Sequence, residues 1–143
     1  MPYSELMVRP MREELTSLGV QELRTADEVD AFMNDKSGTA MLVVNSVCGC
    51  AAGMARPGVR LSLEGGHRPD RVATVFAGQD LEATARARSY FADIPPSSPS
   101  IAVWKEGDLV YFMPRHRIEG RDAQSVASDL GQVFAEHCAV PAG

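Results

Sequence analysis

Two cysteines separated by one glycine, Cys48-Gly49-Cys50, are the residues of this chain best suited to covalent chemistry. A third, Cys138, lies close to the end of the chain. An odd count argues against the paired disulfide framework of a small secreted domain. In a reducing compartment, a close pair of thiols points to thiol–disulfide exchange or to metal binding rather than to a structural staple. Cys-x-Cys departs from the usual zinc spacing, and only Cys138 and three histidines remain as further ligands. Two thiolates would still suit a soft ion such as Cu(I). The alternative to exchange is therefore a non-catalytic Cys-x-Cys metal-binding or metal-delivery module. A plainer alternative is a pair of buried, inert thiols.

The surrounding sequence favours exchange. Thr39 to Val44 is continuously apolar and rich in β-branched residues, the pattern of a strand buried on both faces. Asn45-Ser46 interrupts it, and a helical composition runs from Cys48 to about Glu64, with Pro57-Gly58 expected to kink or break it. The cysteines thus fall beyond the C-terminal end of a strand, where sites of open α/β sheets gather. They also fall at a helix N-terminus, whose free N–H groups and dipole stabilise a thiolate. Cys48 is expected to be the nucleophile with a lowered pKa, and the more shielded Cys50 the resolving thiol. Gly49 leaves the backbone free to bend if the sulfurs bond, and so small a ring would be strained and easily reduced.

The rest of the chain supplies the elements that hold this turn. Met11, Leu15 and Leu18 have helical spacing from Pro10 to Gly19. Thr25 and Glu28 form a capping box before Val29, Phe32 and Met33, and Asp35-Lys36-Ser37-Gly38 ends that helix. Arg71 to Ala77 reads as a second buried strand. Asp80 is expected to cap a helix carrying Leu81, Ala85 and Tyr90. Pro95-Pro96-Ser97-Ser98-Pro99 is a loop. Ser100 to Trp104 and Leu109 to Met113 form a hairpin across Lys105-Glu106-Gly107-Asp108, with Trp104 and Phe112 expected in the core. Val126, Leu130, Val133 and Phe134 mark a last helix from Asp122 to Cys138. The order α-α-β-α-β-α-β-β-α implies a mixed sheet with helices on both faces.

The chain has 143 residues, 45% of them apolar and 23% charged, which fits one globular domain and excludes a disordered chain. A net charge of −5 gives no electrostatic footprint for nucleic acid. No apolar run approaches a membrane span, and Met1 to Pro10 does not read as a secretory signal, so the expected location is the cytoplasm. His67 reads as a loop residue, and His116, among Arg115, Arg117 and Arg121, as part of a basic turn. That turn could also pair with carboxylates of a ligand through Arg115. Met54 is expected in the core, whereas Arg56 could help to hold a thiolate.

Pro99-Ser100-Ile101-Ala102-Val103-Trp104-Lys105-Glu106-Gly107-Asp108-Leu109 resembles the proline–strand–turn–strand segment of thioredoxins. The resemblance implies a thioredoxin-like three-layer α/β/α sandwich with a mixed central sheet. It makes Pro99 the cis-proline beside the cysteines and Pro57 the proline that kinks the active-site helix. Leu42 stands where thioredoxins carry a buried acid, so their proton relay does not transfer. A closer resemblance covers Pro10 to about His137. Asn45-Ser46-Val47-Cys48-Gly49-Cys50-Ala51-Ala52-Gly53, Ala55-Arg56-Pro57-Gly58 and Pro114-Arg115-His116-Arg117-Ile118-Glu119-Gly120 are similar to the bacilliredoxin family. It implies an enzyme that removes bacillithiol from mixed disulfides on cytosolic proteins, with weak disulfide reductase or isomerase activity. Cys48 would attack and Cys50 resolve. Bacillithiol would be co-substrate, with no bound cofactor and no metal. The residues expected to meet substrate are Gly49, Asn45, Arg56 and Arg115. The expected organisation is one domain, 1–143, with a helical extension over 1–38 and a core over 39–138. The extension would cover a sheet face or form a homodimer surface.

Overall fold

The apolar run at the centre of the sequence becomes the central strand of the sheet. The structure, a computed structural model, describes residues 2–139. In chain order it comprises α1 (Glu5–Thr16), β1 (Gln21–Glu22), α2 (Ala26–Asn34), β2 (Thr39–Asn45), α3 (Arg56–Leu63), β3 (Arg71–Phe76), α4 (Leu81–Ser89), β4 (Ser100–Lys105), β5 (Asp108–Met113) and α5 (Ala123–His137). The sheet order is β1-β3-β2-β4-β5. β2 runs parallel to β3 and antiparallel to β4, so the sheet is mixed, as expected.

Every residue of β2 is buried. Its side chains alternate between two cores, following the period of two that a strand imposes. Met41 and Val43 join Leu15, Val59, Ile101, Leu130 and Phe134 on one face. Ala40, Leu42 and Val44 join Val29, Phe32, Val75 and Ala87 on the other. The result is an α/β/α sandwich in which α3 packs on α5 and α2 on α4. Met41, Leu42, Val43 and Val44 are at most 1% exposed. At about 1.5–3 kcal/mol for each buried side chain, they anchor the strand far more firmly than any surface ion pair would.

Local chemistry explains most of the boundaries. Thr25 and Glu28 form the expected capping box, and Asp122 caps α5 by accepting from the Ser125 N–H at 2.8 Å. The β4–β5 turn places Glu106 at φ 49° and Gly107 at φ 84°, the two left-handed residues of a tight hairpin. Trp104 and Phe112 both pack against Phe91, with ring centroids 6.1 and 5.2 Å away.

Four features differ from the sequence reading. α1 begins at Glu5 and carries Pro10 inside it; a single proline removes one N–H but does not end the helix, because Val8, Arg12 and Leu15 bury its inner face. The two-residue β1 carries no strand pattern of its own; it pairs with β3 and carries part of the first 38 residues into the sheet. Asp80 precedes α4 but makes no side-chain cap; its carboxylate instead binds Arg12 at 2.7 Å. The helix after Cys48 does not break at Pro57. A wide π-helical turn over Ala51–Ala55 comes first, and Pro57 then falls in the first turn of α3, where a missing N–H costs little.

The α3–α5 contact is close at Gly58. A Cβ there would lie 2.6 Å from Val126 Cγ1 and 2.8 Å from Val126 Cβ. Gly131, inside α5, would meet nothing within 4 Å. Gly58→Ala should therefore lower unfolding stability by about 1–3 kcal/mol through overpacking, against a helix-propensity gain of about 1 kcal/mol. Gly131→Ala should raise stability by about 0.5–1 kcal/mol. Urea unfolding of the two variants checks both signs.

Candidate active site

β2 ends on a buried polar residue, Asn45, which is 1% exposed. Its amide donates to the Met11 carbonyl at 3.2 Å. Its Oδ1 accepts from the Ser46 N–H at 2.9 Å and from the Arg56 guanidinium at 2.9 Å. Arg56, only 2% exposed, also donates to the Ser46 carbonyl at 2.8 Å. Its Nε lies 3.0 Å from the Glu14 carboxylate of α1. The strand end, the turn after it, α1 and the start of α3 are thereby tied to one cation. The structure gives Asn45 and Arg56 a different place from the one expected. They lie beneath the cysteine turn and bond to protein groups. Neither bonds a sulfur among the described residues or lines the cleft at Cys48.

From this base the chain turns over Ser46 and Val47 into the first helical residues. The Ser46 hydroxyl accepts from the Cys48 N–H at 3.2 Å. Cys48 is half-buried and Cys50 buried, and both are free thiols. Their sulfurs are 3.2 Å apart, in hydrogen-bond contact rather than bonded. The Cys50 N–H donates to Cys48 Sγ at 3.4 Å. Gly49 is exposed between them with open space where a Cβ would be, so the reduced turn makes no steric demand for glycine.

This geometry separates the two thiols electrostatically. The Cys50 N–H lowers the Cys48 pKa most, followed by the Cys50 thiol, with further help from the Arg115 charge and the Ala51 N–H. Cys50 moves the other way. Its bond to the Cys48 sulfur holds its proton, and burial and the Cys48 charge add to that. Of the two thiols, Cys48 therefore gives up its proton more readily and Cys50 holds it more tightly.

Opposite the cysteines, the Ser98–Pro99 peptide bond is cis and Pro99 is buried. The same loop holds Arg115, which follows β5 in a short 3-10 turn, Arg115–Arg117. The Arg115 N–H donates to Ser97 Oγ at 3.2 Å, and its guanidinium to the Ser98 carbonyl at 3.4 Å. Its Nε also donates to Glu119 at 3.0 Å. The neighbouring Arg117 and Arg121 pair with Asp129, so Arg115 is the member of the basic turn whose charge acts on the sulfurs. His116 is exposed.

Cys48 opens into a cleft of about 310 Å³ lined by Tyr3, Ser46, Val47, Ala77, Gly78, Arg88, Ser98 and Arg115. Tyr3 and Arg88 were not singled out in the sequence. Nothing near Arg88 in the chain marks it, because α4 and the proline loop bring it to the cleft. His67 and Cys138 are elsewhere. The His67 ring meets the Cys138 carbonyl at 2.8 Å, and the buried Cys138 thiol faces Thr39 at the start of β2. The seven residues of β2, about 20 Å of strand, lie between Thr39 and the cysteine pair. Among the described residues, no three His, Cys, Asp or Glu side chains gather as a metal site. None of the helices described is long and apolar enough to cross a membrane.

Comparison with known proteins bears on the fold and the family. Residues 3–138 match the family model described as disulphide isomerase. A bacilliredoxin of Salinibacter ruber is 57% identical over 140 residues, 96% of this chain and 82% of its own. One of Cytophaga hutchinsonii is 55% identical over 134 residues, 94% of this chain and 98% of its own. Among solved structures, Fasciola hepatica thioredoxin superposes with a TM-score of 0.55 at 15% identity, over 82% of this chain and 99% of that one. Schistosoma mansoni thioredoxin gives 0.54 at 16% identity, over 80% and 97%. The distant structures establish the thioredoxin fold. The near relatives go further: at such identity over almost its whole length, the chain belongs to the bacilliredoxin family of thiol–disulfide oxidoreductases.

Proposed function

We propose that the protein removes bacillithiol, or a small thiol like it, from mixed disulfides on cytoplasmic client proteins. The observation that carries this reading is the asymmetric pair: Cys48, its pKa lowered, opens to a cleft lined by arginine, and Cys50, its pKa raised, is buried behind it. The Cys48 thiolate attacks the small-thiol sulfur of the mixed disulfide. A bond forms between Cys48 and the small thiol, and the client sulfur leaves as a thiolate that takes a proton from water. Cys48 is then reset in one of two ways. A second small-thiol anion attacks the mixed disulfide, restoring Cys48 and forming the small-thiol disulfide. Alternatively Cys50 loses its proton and attacks Cys48, expelling the small thiol and leaving a Cys48–Cys50 disulfide for an external two-electron thiol reductant. Attack by the same Cys48 on a protein disulfide would supply reductase or isomerase activity.

The cytoplasm suits this chemistry, because a reducing pool keeps both thiols free. Asn45 and Arg56 serve as positioning residues in this reading, since their contacts set the turn that carries Cys48. Ser98 lines the cleft just before the cis peptide bond to Pro99, and the mixed disulfide would lie against it.

Two outcomes are expected. The first concerns the thiolate. Iodoacetamide should label Cys48 with a pH midpoint below the ~8.5 of an ordinary cysteine, and Cys50 only at higher pH. Removing a cation destabilises an anion, so Arg115→Gln should move the Cys48 midpoint up. A Cys48 midpoint at or above the ordinary value would contradict the polarised pair. The second concerns turnover. A bacillithiol-capped client should be released by the native protein and by Cys50→Ala in the presence of excess bacillithiol, but not by Cys48→Ser. Release of the client by Cys48→Ser, followed by mass spectrometry, would refute the mechanism.

A further inference from the structure

The cleft in front of Cys48 has no carboxylate on its walls, yet two arginines line it. Arg115 shares its charge with Glu119. Arg88 is different. Among the described residues no carboxylate lies within ion-pair distance of it. The contact its guanidinium makes is a 3.3 Å bond from one terminal nitrogen to the Ser97 carbonyl. Its Nε is buried without a partner. Partial burial also pushes its pKa down. Most charges in this protein are treated otherwise. Arg12, more deeply buried than the partly exposed Arg88, meets Glu5, Asp80 and Glu22, and Arg56 meets Glu14. An arginine left unpaired at the mouth of a reactive thiol has spare donors for a ligand anion.

We propose that Arg88 is the specificity-determining residue of the Cys48 cleft, binding together with Arg115 a carboxylate of the small thiol whose sulfur Cys48 attacks. The inference rests on the exchange reading above and adds the residue that selects among small thiols there, Arg88 favouring those that bear a carboxylate. Cleft size fits this assignment, since about 310 Å³ holds a small thiol but not a folded client. The client then remains outside, as the leaving group. Binding a carboxylate across Arg88 and Arg115 aims the small-thiol sulfur, rather than the client sulfur, at Cys48. Arg88 thus directs attack to the sulfur that keeps the client as the leaving thiolate. The exchange involves no net oxidation: one disulfide bond forms as another breaks, and the client thiolate takes up a proton.

The test uses one neutral cysteine peptide capped in two ways, with mercaptosuccinate or with its dimethyl ester. The leaving thiol is the same in both, and only the cap's charge differs. With the native protein, peptide-thiol release should be faster from the acid cap, through a lower KM. Arg88→Gln keeps an amide that can donate to the Ser97 carbonyl but removes the charge. It should lower the acid-to-ester ratio of kcat/KM about tenfold, the size of one charge-assisted hydrogen bond. Arg88→Lys should restore part of the ratio. An unchanged ratio in Arg88→Gln, or an equal loss on both caps, would overturn the inference and leave Arg88 a support of the proline loop. If the native protein released neither peptide faster than free cysteine does, the exchange reading itself would fail and take this one with it.

Discussion

The cysteine turn depends on a buried cation beneath it. Arg56 is nearly inaccessible, and a charge there is tolerated only because Glu14, Asn45 and the Ser46 carbonyl surround it. Each partner belongs to a different piece of the molecule: α1, the end of β2, and the turn itself. Moving any of them would leave a buried charge short of a partner. The backbone from Asn45 to Cys48 is therefore over-determined before the cysteines are considered. The apolar side chains of β2 fix the strand, and Arg56 fixes how the chain leaves it.

The asymmetry of the two thiols follows from that exit. A chain entering a helix directs its first free N–H groups back toward the residue at its start. Cys48 occupies that place and Cys50 does not, so the same turn pulls one pKa down and pushes the other up. The proline loop then adds one cation, because Ser97 and Ser98 hold Arg115 by two bonds. A moderate lowering serves exchange better than a deep one. Nucleophilicity falls with pKa, and the best attacking thiol ionises near ambient pH. The sharing of Arg115 with Glu119 and the partial burial of Cys48 both oppose the lowering.

Much of this arrangement is legible in the residues themselves. The β-branched run of β2, the Thr25–Glu28 box, the glycine of the hairpin and the position of Cys48 after a strand are local signals, and local physics reads them. The departures share a different cause. Gln21–Glu22 is strand only because β3 offers it a partner. Asp80 forgoes the helix N-terminus for Arg12, an ion pair that no pattern around Asp80 encodes. Arg56 was expected to face the thiolate because of its place near Cys48, but helical rotation through the wide π-turn carries it to the opposite side, toward Glu14. Arg88 reaches the cleft by way of α4 packing against the sheet. In each case the deciding partner lies far along the chain.

Charge shows the same division between local and distant effects. A net charge of −5 describes the whole molecule. The cleft nevertheless carries cations alone, because the acids that balance Arg12, Arg56 and Arg117 are spent at contacts elsewhere. Screening limits exposed charges to about 10 Å, so a thiolate in this cleft responds to Arg115 and hardly at all to the remaining surface. Cys138 lies outside that range as well. It faces Thr39 at the beginning of β2, buried by its own desolvation in the thiol form. β2 therefore does two things with one set of apolar side chains. It carries the reactive pair on its C-terminal end, and its length keeps the third cysteine out of their chemistry.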